Sequence, residues 1–304
     1  MAETSQPVQG AILSATHLIA NPFAGRGLKA LRRAANEQGL ALRWHLPESV
    51  EQARSMIEEL RNEERLLIAG GDGSFHLATQ VLADGKTPEL CLGLIPTGTG
   101  SDFMRSLPGE TSLEARLETA LRGAPRAYRP GLGIGKQDQK SFINVASLGV
   151  SAAVAYAIEG GLKKLGAFGY TVAMIQGIVF YRSTEMSVYV DGELLMQGKG
   201  YLTAVGCGRY FGGGKMIAPH ADPFSDQLHM IAVRDQGMLT TLSATRKLNT
   251  GQHIHLPIVE HGLGSEIRIE GQGLRSEFDG ELGPEGELTF RRGPVAFHLA
   301  VDEP

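Results

Sequence analysis

Four consecutive apolar residues, Leu66, Leu67, Ile68 and Ala69, stop abruptly at Gly70-Gly71-Asp72-Gly73-Ser74. A helical apolar pattern follows over residues 75–82. A strand that runs through a glycine turn into a helix presents backbone N–H groups to an anion at the helix N-terminus. The glycines let the main chain approach oxygen atoms closely. Asp72 adds a carboxylate where a phosphate-bound Mg²⁺ could use it, directly or through water. A plain strand-to-helix turn would read the same way. The rest of the chain decides between the two.

The first half alternates strand and helix. Residues 17–20 form a short apolar strand that runs into Asn21-Pro22. Residues 28–38 are helical, with Leu28, Leu31 and Ala35 on one side and Gly39 at the end. A strand over 42–46 precedes a helix from the Ser49 cap to Leu60, with Ala53, Met56, Ile57 and Leu60 inward. After the strand at 66–69 and its helix come a strand at 90–95, closed by Pro96, and a helix at 113–121. Strands separated by helices of about ten to fifteen residues make βαβ units and a mainly parallel sheet. Ligands of such sheets sit beyond the carboxyl ends of the strands. From about residue 124 the texture changes to alternating strands with short turns, at 187–190, 201–205, 228–233, 266–269 and 288–291. The pattern predicts an antiparallel, sandwich-like domain. Apolar helices at 152–158, 169–180 and 239–247 interrupt it. The fold class is therefore α/β followed by β-sandwich. The division falls at 15–128, with 293–304 packing back on it, and 129–292.

Charge and cysteine content exclude several classes of function. The net charge of −4 gives no basic field for nucleic acid. Cys91 and Cys207 lie in apolar surroundings and read as buried thiols of a reducing compartment. The polar residues 1–10 carry no signal-peptide pattern. The apolar run at 167–181 is shorter than the roughly 18 residues of a membrane span. A cytoplasmic protein is expected, with peripheral contact at the inner membrane face open.

Three loops leave the same end of the first sheet: Asn21-Pro22-Phe23-Ala24-Gly25-Arg26-Gly27, Gly70 to Ser74, and Pro96-Thr97-Gly98-Thr99-Gly100-Ser101-Asp102-Phe103. Each alone reads as a turn; together on one edge they read as a phosphate site. The chain has no GxxxxGK[ST] loop. Charge compensation falls to Mg²⁺ and to arginines such as Arg26 and Arg105. Two Asp-Gly-Glu triplets, at 191–193 and 279–281, each fit a hairpin turn.

With these motifs in hand the chain resembles the diacylglycerol-kinase-like lipid kinases, in particular soluble bacterial members related to sphingosine kinases and NAD kinases. The resemblance rests on Asn21-Pro22, Gly70 to Ser74, Pro96 to Phe103, Gly212-Gly213-Gly214-Lys215-Met216 with Pro219-His220-Ala221, and Asp279-Gly280-Glu281. It implies a Rossmann-like nucleotide domain, a β-sandwich domain with inserted helices, and ATP with Mg²⁺ in the cleft between them. It implies transfer of the γ-phosphoryl group to a lipid hydroxyl of diacylglycerol type, in phospholipid biosynthesis. Asp279 would take the hydroxyl proton, Glu281 would orient the site and Asp72 would organise Mg²⁺. Asn21, Pro22, Gly25, Arg26, Gly70, Gly71, Asp72, Gly73, Ser74, Pro96, Thr97, Gly98, Thr99 and Asp102 would hold the nucleotide. Asp191 is then the structural turn. The partner is a lipid at a membrane surface, and a homodimer stays open.

The chain departs from the family pattern in places. Ser74-Phe75-His76-Leu77 replaces Thr-x-Asn-Glu, which takes polar groups out of the site; Ser101-Asp102 replaces Asn-Asp. The segment Asp222 to Leu228 blurs a structural cation motif, leaving Asp226 as its acidic residue. An NAD kinase, and a degenerate protein that binds nucleotide or lipid without turnover, are the alternatives. His253, His255 and His261 read as exposed loop histidines with no metal spacing. Arg26, Lys29, Arg32 and Arg33, and Lys163-Lys164, read as solvated faces or as lipid-headgroup contacts.

Overall fold

The computed structural model describes residues 16–83, 86, 89–98, 101–159, 181–235 and 246–302. The N-terminal part places β1 (Thr16–Ala20), α1 (Arg26–Glu37), β2 (Leu42–His45), α2 (Val50–Glu59), β3 (Arg65–Gly70), α3 (Asp72–Leu82) and β4 (Cys91–Pro96) in succession. A short helix α4 (Asp102–Ser106), then α5 (Leu113–Arg122) and β5 (Ala124–Tyr128), complete it. Strands β1 to β4 pair in parallel. Side chains of β3 alternate between two cores, which is why its sequence is apolar throughout. Leu66 and Ile68 pack with Ile57, Phe75 and Leu82 of α2 and α3. Leu67 and Ala69 pack with Leu31 of α1 and Leu117 and Leu121 of α5. Ser49 caps α2 by accepting from Gln52 N–H at 3.1 Å, and Ser112 caps α5 in the same way.

The chain then forms β6 (Gly131–Ile134), β7 (Gln139–Phe142), β8 (Val145–Gly149) and α6 (Val150–Glu159). Next come β9 (Thr184–Val190), β10 (Glu193–Gly206), β11 (Tyr210–Phe211), β12 (Lys215–Met216) and β13 (Leu228–Arg234). Last in this part are β14 (Val259–Gly264), β15 (Glu266–Gly271), β16 (Ser276–Phe278), β17 (Glu281–Leu282) and β18 (Leu288–Arg292). Among the described residues these make an 11-stranded antiparallel sheet in the order β17-β16-β8-β10-β9-β15-β18-β6-β7, with β13 and β14 branching from β10, and a separate β11–β12 pair. Strand β10 is buried on both faces: Val205 joins Phe142, Phe278 and Phe290 in one core, while Ala204 joins Ile217, Ile231 and Ile254 in another. The result is a sandwich-like antiparallel domain.

The last strand, β19 (Phe297–Val301), enters the first sheet between β4 and β5. It pairs in parallel with β4 and antiparallel with β5. Tyr128, at the end of β5, closes the junction of the two parts. Its ring lies 5.3 Å from Phe297 and 5.7 Å from Phe103, and its hydroxyl donates to Ile143 O at 3.0 Å.

Cys91 and Cys207 are buried free thiols. The expected helix at 169–180, Lys163, Lys164, most of the stretch at 239–247, and Thr99 with Gly100 lie outside the described residues. The histidine reading holds for exposed His255 and needs correction at His253 and His261. His253 is 2% exposed, and its Nε2 donates to Ile217 O at 3.0 Å. His261, half-buried on β14, lies tilted against His220 at 5.8 Å and edge-on to His229 at 5.6 Å. Pairing β13 with β14 brings His229 and His261 together beside exposed His220, and no local spacing records that.

Candidate active site

The three glycine-bearing loops are tied to one another through backbone. Asn21 N–H donates to Ala69 O at 2.9 Å, and Thr97 N–H to Gly70 O at 2.9 Å. The Asn21 side chain accepts from Phe23 N–H at 2.9 Å, with Pro22 opening the short 3₁₀ turn. Gly25 sits at φ 54°, ψ −112°, a conformation open to glycine. A Cβ on Gly27 would stand 2.1 Å from Thr97 O, so the first and third loops are in backbone contact. Helix α3 begins at Asp72 behind Gly71, and no side chain caps it. Its first-turn N–H groups therefore face the loops with their positive partial charge.

Asp72 points to the third loop. Its Oδ2 accepts from Asp102 N–H and its Oδ1 from Phe103 N–H, both at 3.0 Å. Asp102 in turn accepts from Gly213 N–H at 2.8 Å through Oδ2. Its other oxygen is buried without a hydrogen-bond partner and lies 3.8 Å from Arg105 Nε. The glycine turn, the Thr-rich loop and the Gly212–Gly214 stretch are thus linked through two carboxylates. Burial raises the Asp72 carboxyl above its ordinary range, against the two N–H donors, and Asp102 and Asp279 nearby push it the same way.

On the other side stands the β16–β17 hairpin. Asp279 and Gly280 are its two loop residues, at φ 50° and 88°. Asp279 Oδ1 accepts from Asn144 and Val145 N–H, both at 3.0 Å, and Oδ2 from Ile143 N–H at 2.7 Å. His76 Nδ1, from α3, lies 2.8 Å from Oδ2. Glu281 Oε2 accepts from Lys140 Nζ at 2.9 Å and faces His76 Nε2 at 3.4 Å.

The Asp191-Gly192 turn has the same backbone, φ 49° and 86°. Among the described residues its carboxylate accepts from Ser265 and Glu266 N–H, at the start of β15. Both triplets are hairpins, and the one at 279 also meets α3 through His76.

Charge in this corner is strongly perturbed. Burial opposes a charged His76, yet its hydrogen bonds to Asp279 and Glu281 outweigh this and raise its pKa to about 9. The hydrogen bond from His76 is also the main cause holding Glu281 below the usual carboxylate range. Burial pushes Glu277 up to about 7; it accepts from Gly280 N–H at 2.7 Å and from Ser147 Oγ.

Asp72 is thus linked to Asp102 and the Gly212–Gly214 stretch, His76 to Asp279 and Glu281, Gly70 to Thr97 and Gly98 through backbone, and Asp279 lies near enough to act on the Asp72 carboxyl. Arg26 is exposed at the start of α1. Asp226 lies apart, exposed and paired with Arg129 at 3.2 Å. Among the described residues no group of three ligating side chains stands ready for a metal ion. His76 corrects the expectation that its place in the motif empties the site of polar groups: it is 2% exposed and bonded to Asp279. Lys140, Gln80 and the N–H groups of residues 143–145 are further site members with no local sequence signal. His76 alone carried one, as a polar residue on the buried face of an apolar helix.

Comparison with known proteins places this geometry. The diacylglycerol kinase catalytic domain family matches residues 15–132. The YegS C-terminal NAD kinase beta sandwich-like domain family matches residues 144–301. A diacylglycerol kinase of Staphylococcus saprophyticus is 26% identical over 259 residues, 84% of this chain and 81% of that protein. One of Staphylococcus aureus is 26% identical over 258 residues, 84% of this chain and 78% of its own. The crystal structure of a diacylglycerol kinase from Bacillus anthracis superposes with a TM-score of 0.71 at 20% identity, over 95% of this chain and 97% of that one. Another Bacillus anthracis structure gives 0.77 at 20% identity, over 98% and 99%. With its two family domains covering both halves, the chain belongs to the diacylglycerol-kinase-like lipid kinases, enzymes that transfer a phosphoryl group to an alcohol.

Proposed function

We propose that this protein transfers the γ-phosphoryl group of ATP to the hydroxyl of a diacylglycerol-like lipid at the inner membrane surface. The observation that carries the reading is the meeting of His76 on the phosphate-side helix with Asp279 on the opposite hairpin, 2.8 Å apart. It brings an acceptor carboxylate to a helix N-terminus bordered by glycine loops.

In this reading residues 15–128 with 293–304 bind the nucleotide, and 129–292 receive the lipid. The N–H groups at the start of α3 and the Gly70–Ser74 and Pro96–Asp102 loops hold the phosphates. Asn21, Pro22, Gly25 and Arg26 lie along the nucleotide. As the lipid oxygen bonds to the γ-phosphorus, the bond to the β-phosphate oxygen breaks and ADP leaves with the electron pair. The hydroxyl proton passes to Asp279. Glu281, tied to Lys140, keeps the hairpin oriented.

A hard cation fits the corner because buried Asp102 has an oxygen with no hydrogen-bond partner, next to Asp72. Mg²⁺ bound there with the nucleotide would neutralise charge on the phosphoryl oxygens. Peripheral attachment is supported by exposed Arg26, Lys29, Arg32 and Arg33 on α1. Among the described residues no helix is long and apolar enough to cross a membrane.

The test is transfer from labelled ATP with Mg²⁺ to a panel of diacylglycerol, ceramide, sphingoid base and phosphatidylglycerol in detergent micelles, with NAD as a separate arm. Labelled phosphatidate is the expected product. Label on NAD alone, or on nothing, overturns the reading.

A further inference from the structure

We propose that His76 is the positioning residue for Asp279: rooted in the phosphate-side helix, it holds the acceptor carboxylate of the opposite hairpin in line with the bound nucleotide. This rests on the lipid kinase reading above, in which Asp279 takes the hydroxyl proton.

Four donors surround Asp279, and they have different origins. Three are the N–H groups of Ile143, Asn144 and Val145. They run from the β7–β8 connection into the first residue of β8, which pairs with β16 of the hairpin, so they fix Asp279 within its own domain. The fourth, His76, comes from α3, four residues beyond the aspartate of the glycine turn. Among the described residues it alone hydrogen-bonds Asp279 to the element that begins at the proposed phosphate site. Asp279 Oδ2 is an acceptor, so Nδ1 carries a proton and the ring donates. At 2% exposure His76 has no freedom to turn away.

The opposite ring nitrogen shows how the contact is held and how it responds to pH. Nε2 lies 2.8 Å from the Gln80 side-chain amide, one helical turn on, and 3.4 Å from Glu281 Oε2. Gln80 in turn meets Arg54 of α2 through Oε1 at 3.4 Å. With its nitrogen toward the ring, the Gln80 amide serves a neutral imidazole. The acceptor for the Nε2–H of an imidazolium is Glu281 Oε2 at 3.4 Å, while Gln80 keeps Oε1 on Arg54 and Nε2 toward Glu281.

The groups facing His76 are therefore Asp279 and Glu281 from the hairpin and Gln80 from its own helix. Lys140 of β7 stands behind Glu281, Arg54 behind Gln80, and Asp72 and Glu277 lie further around Asp279. The balance is acidic, so the ring is cationic through the neutral range and loses its proton near pH 9. A cation at this point offsets the carboxylates that would otherwise repel an incoming polyphosphate. Deprotonation removes that charge and the strongest form of the hydrogen bond that aligns Asp279.

Three variants of the full chain test the assignment: His76→Asn, His76→Ala and Asp279→Asn. Asparagine keeps a neutral donor and has room in the site; alanine keeps none. In wild-type protein kcat should fall on an alkaline limb with its midpoint near 9. His76→Asn should lower kcat by about 10-fold, keep the KM for ATP within about twofold, and lack that limb. His76→Ala should lower kcat by roughly 100-fold.

A readout independent of turnover is the histidine Cε1 resonance that disappears in His76→Asn. It should titrate near 9 in wild-type protein and lower in Asp279→Asn. The proposal is overturned if that resonance titrates at or below about 6.5, or if His76→Ala keeps wild-type kcat and its alkaline limb. The two readings separate cleanly. If Asp279→Asn is inactive while the His76 variants are unaffected, only this proposal fails. If Asp279→Asn turns over normally, the base assignment fails.

Discussion

Asp72 and Asp102 form a directional pair: the N–H of Asp102 donates to Asp72 Oδ2 at 3.0 Å, and the Asp102 carboxylate then reaches Gly213 N–H at 2.8 Å. The acidic residue of the glycine turn thus satisfies the first N–H groups of α4 and stands beside the Asp102 oxygen offered to the proposed cation. These roles come apart on substitution. Asp72→Ala leaves the N–H groups of Asp102 and Phe103 unpaired and should cost about 1–2 kcal/mol in chemical denaturation. Asp72→Asn keeps one acceptor and should lose less stability. Its transfer rate should still fall on the order of 10²-fold. Wild-type turnover in Asp72→Asn would leave Asp72 with the capping role alone.

Tyr128 acts on the site through main chain. Its hydroxyl holds Ile143 O, and Ile143 N–H holds Asp279. Tyr128→Phe keeps the aromatic packing against Phe103 and Phe297 and removes that anchor. A loss of about 1 kcal/mol is expected, with kcat reduced by roughly threefold to tenfold and nucleotide affinity retained. Equilibrium unfolding beside steady-state kinetics reads both effects.

Gly27 tests the contact between the first and third loops. Its absent Cβ would stand 2.1 Å from the Thr97 carbonyl oxygen, a backbone atom that cannot swing aside. Gly27→Ala must push the loops apart. The expected result is destabilisation of about 1–3 kcal/mol and weaker nucleotide binding by titration calorimetry. An unchanged melting temperature would show that the loops separate freely.

Acid should weaken the fold through a histidine outside the cleft. Burial lowers the pKa of His229 to about 4, with His220, His261 and His253 around it adding to the effect. The unfolded residue takes its proton near 6.5. Between these values the unfolded chain binds more protons, so this contribution is complete above pH 6.5 and is lost as pH falls toward 4. It amounts to about 3 kcal/mol across the window. His229→Gln should flatten the pH dependence of unfolding between pH 6.5 and 4 relative to wild type; identical slopes would refute the assignment. His76 works in the opposite sense: its folded pKa is raised, so its contribution is present below about 6.5 and lost as pH rises through 9.

The alternation of strand and helix around β3, and the alternating strands after residue 130, were legible because burial on two faces and burial on alternate residues leave different hydrophobic periods. The caps Ser49 and the loops at Asn21, Gly70 and Pro96 were legible for the same reason: local geometry demands particular residues. The five-residue helix α4 was not, because its start is fixed by Asp72, thirty positions earlier. Nor was the difference between Asp191 and Asp279. Their turns are locally identical, and only the distant residues 143–145 and His76 distinguish them. The histidines at 220, 229, 253 and 261 likewise meet only once the antiparallel strands pair.

The central claim is that Asp279 takes the proton of a lipid hydroxyl, and the two matched hairpins supply its test. Asparagine tolerates the left-handed conformation at both positions. In Asp191→Asn the amide oxygen still accepts from Ser265 and Glu266 N–H, so transfer from labelled ATP to diacylglycerol should stay within about twofold of wild type. In Asp279→Asn transfer should fall on the order of 10³-fold, with nucleotide affinity retained. Wild-type turnover in Asp279→Asn, measured in the same micelles, would contradict the account.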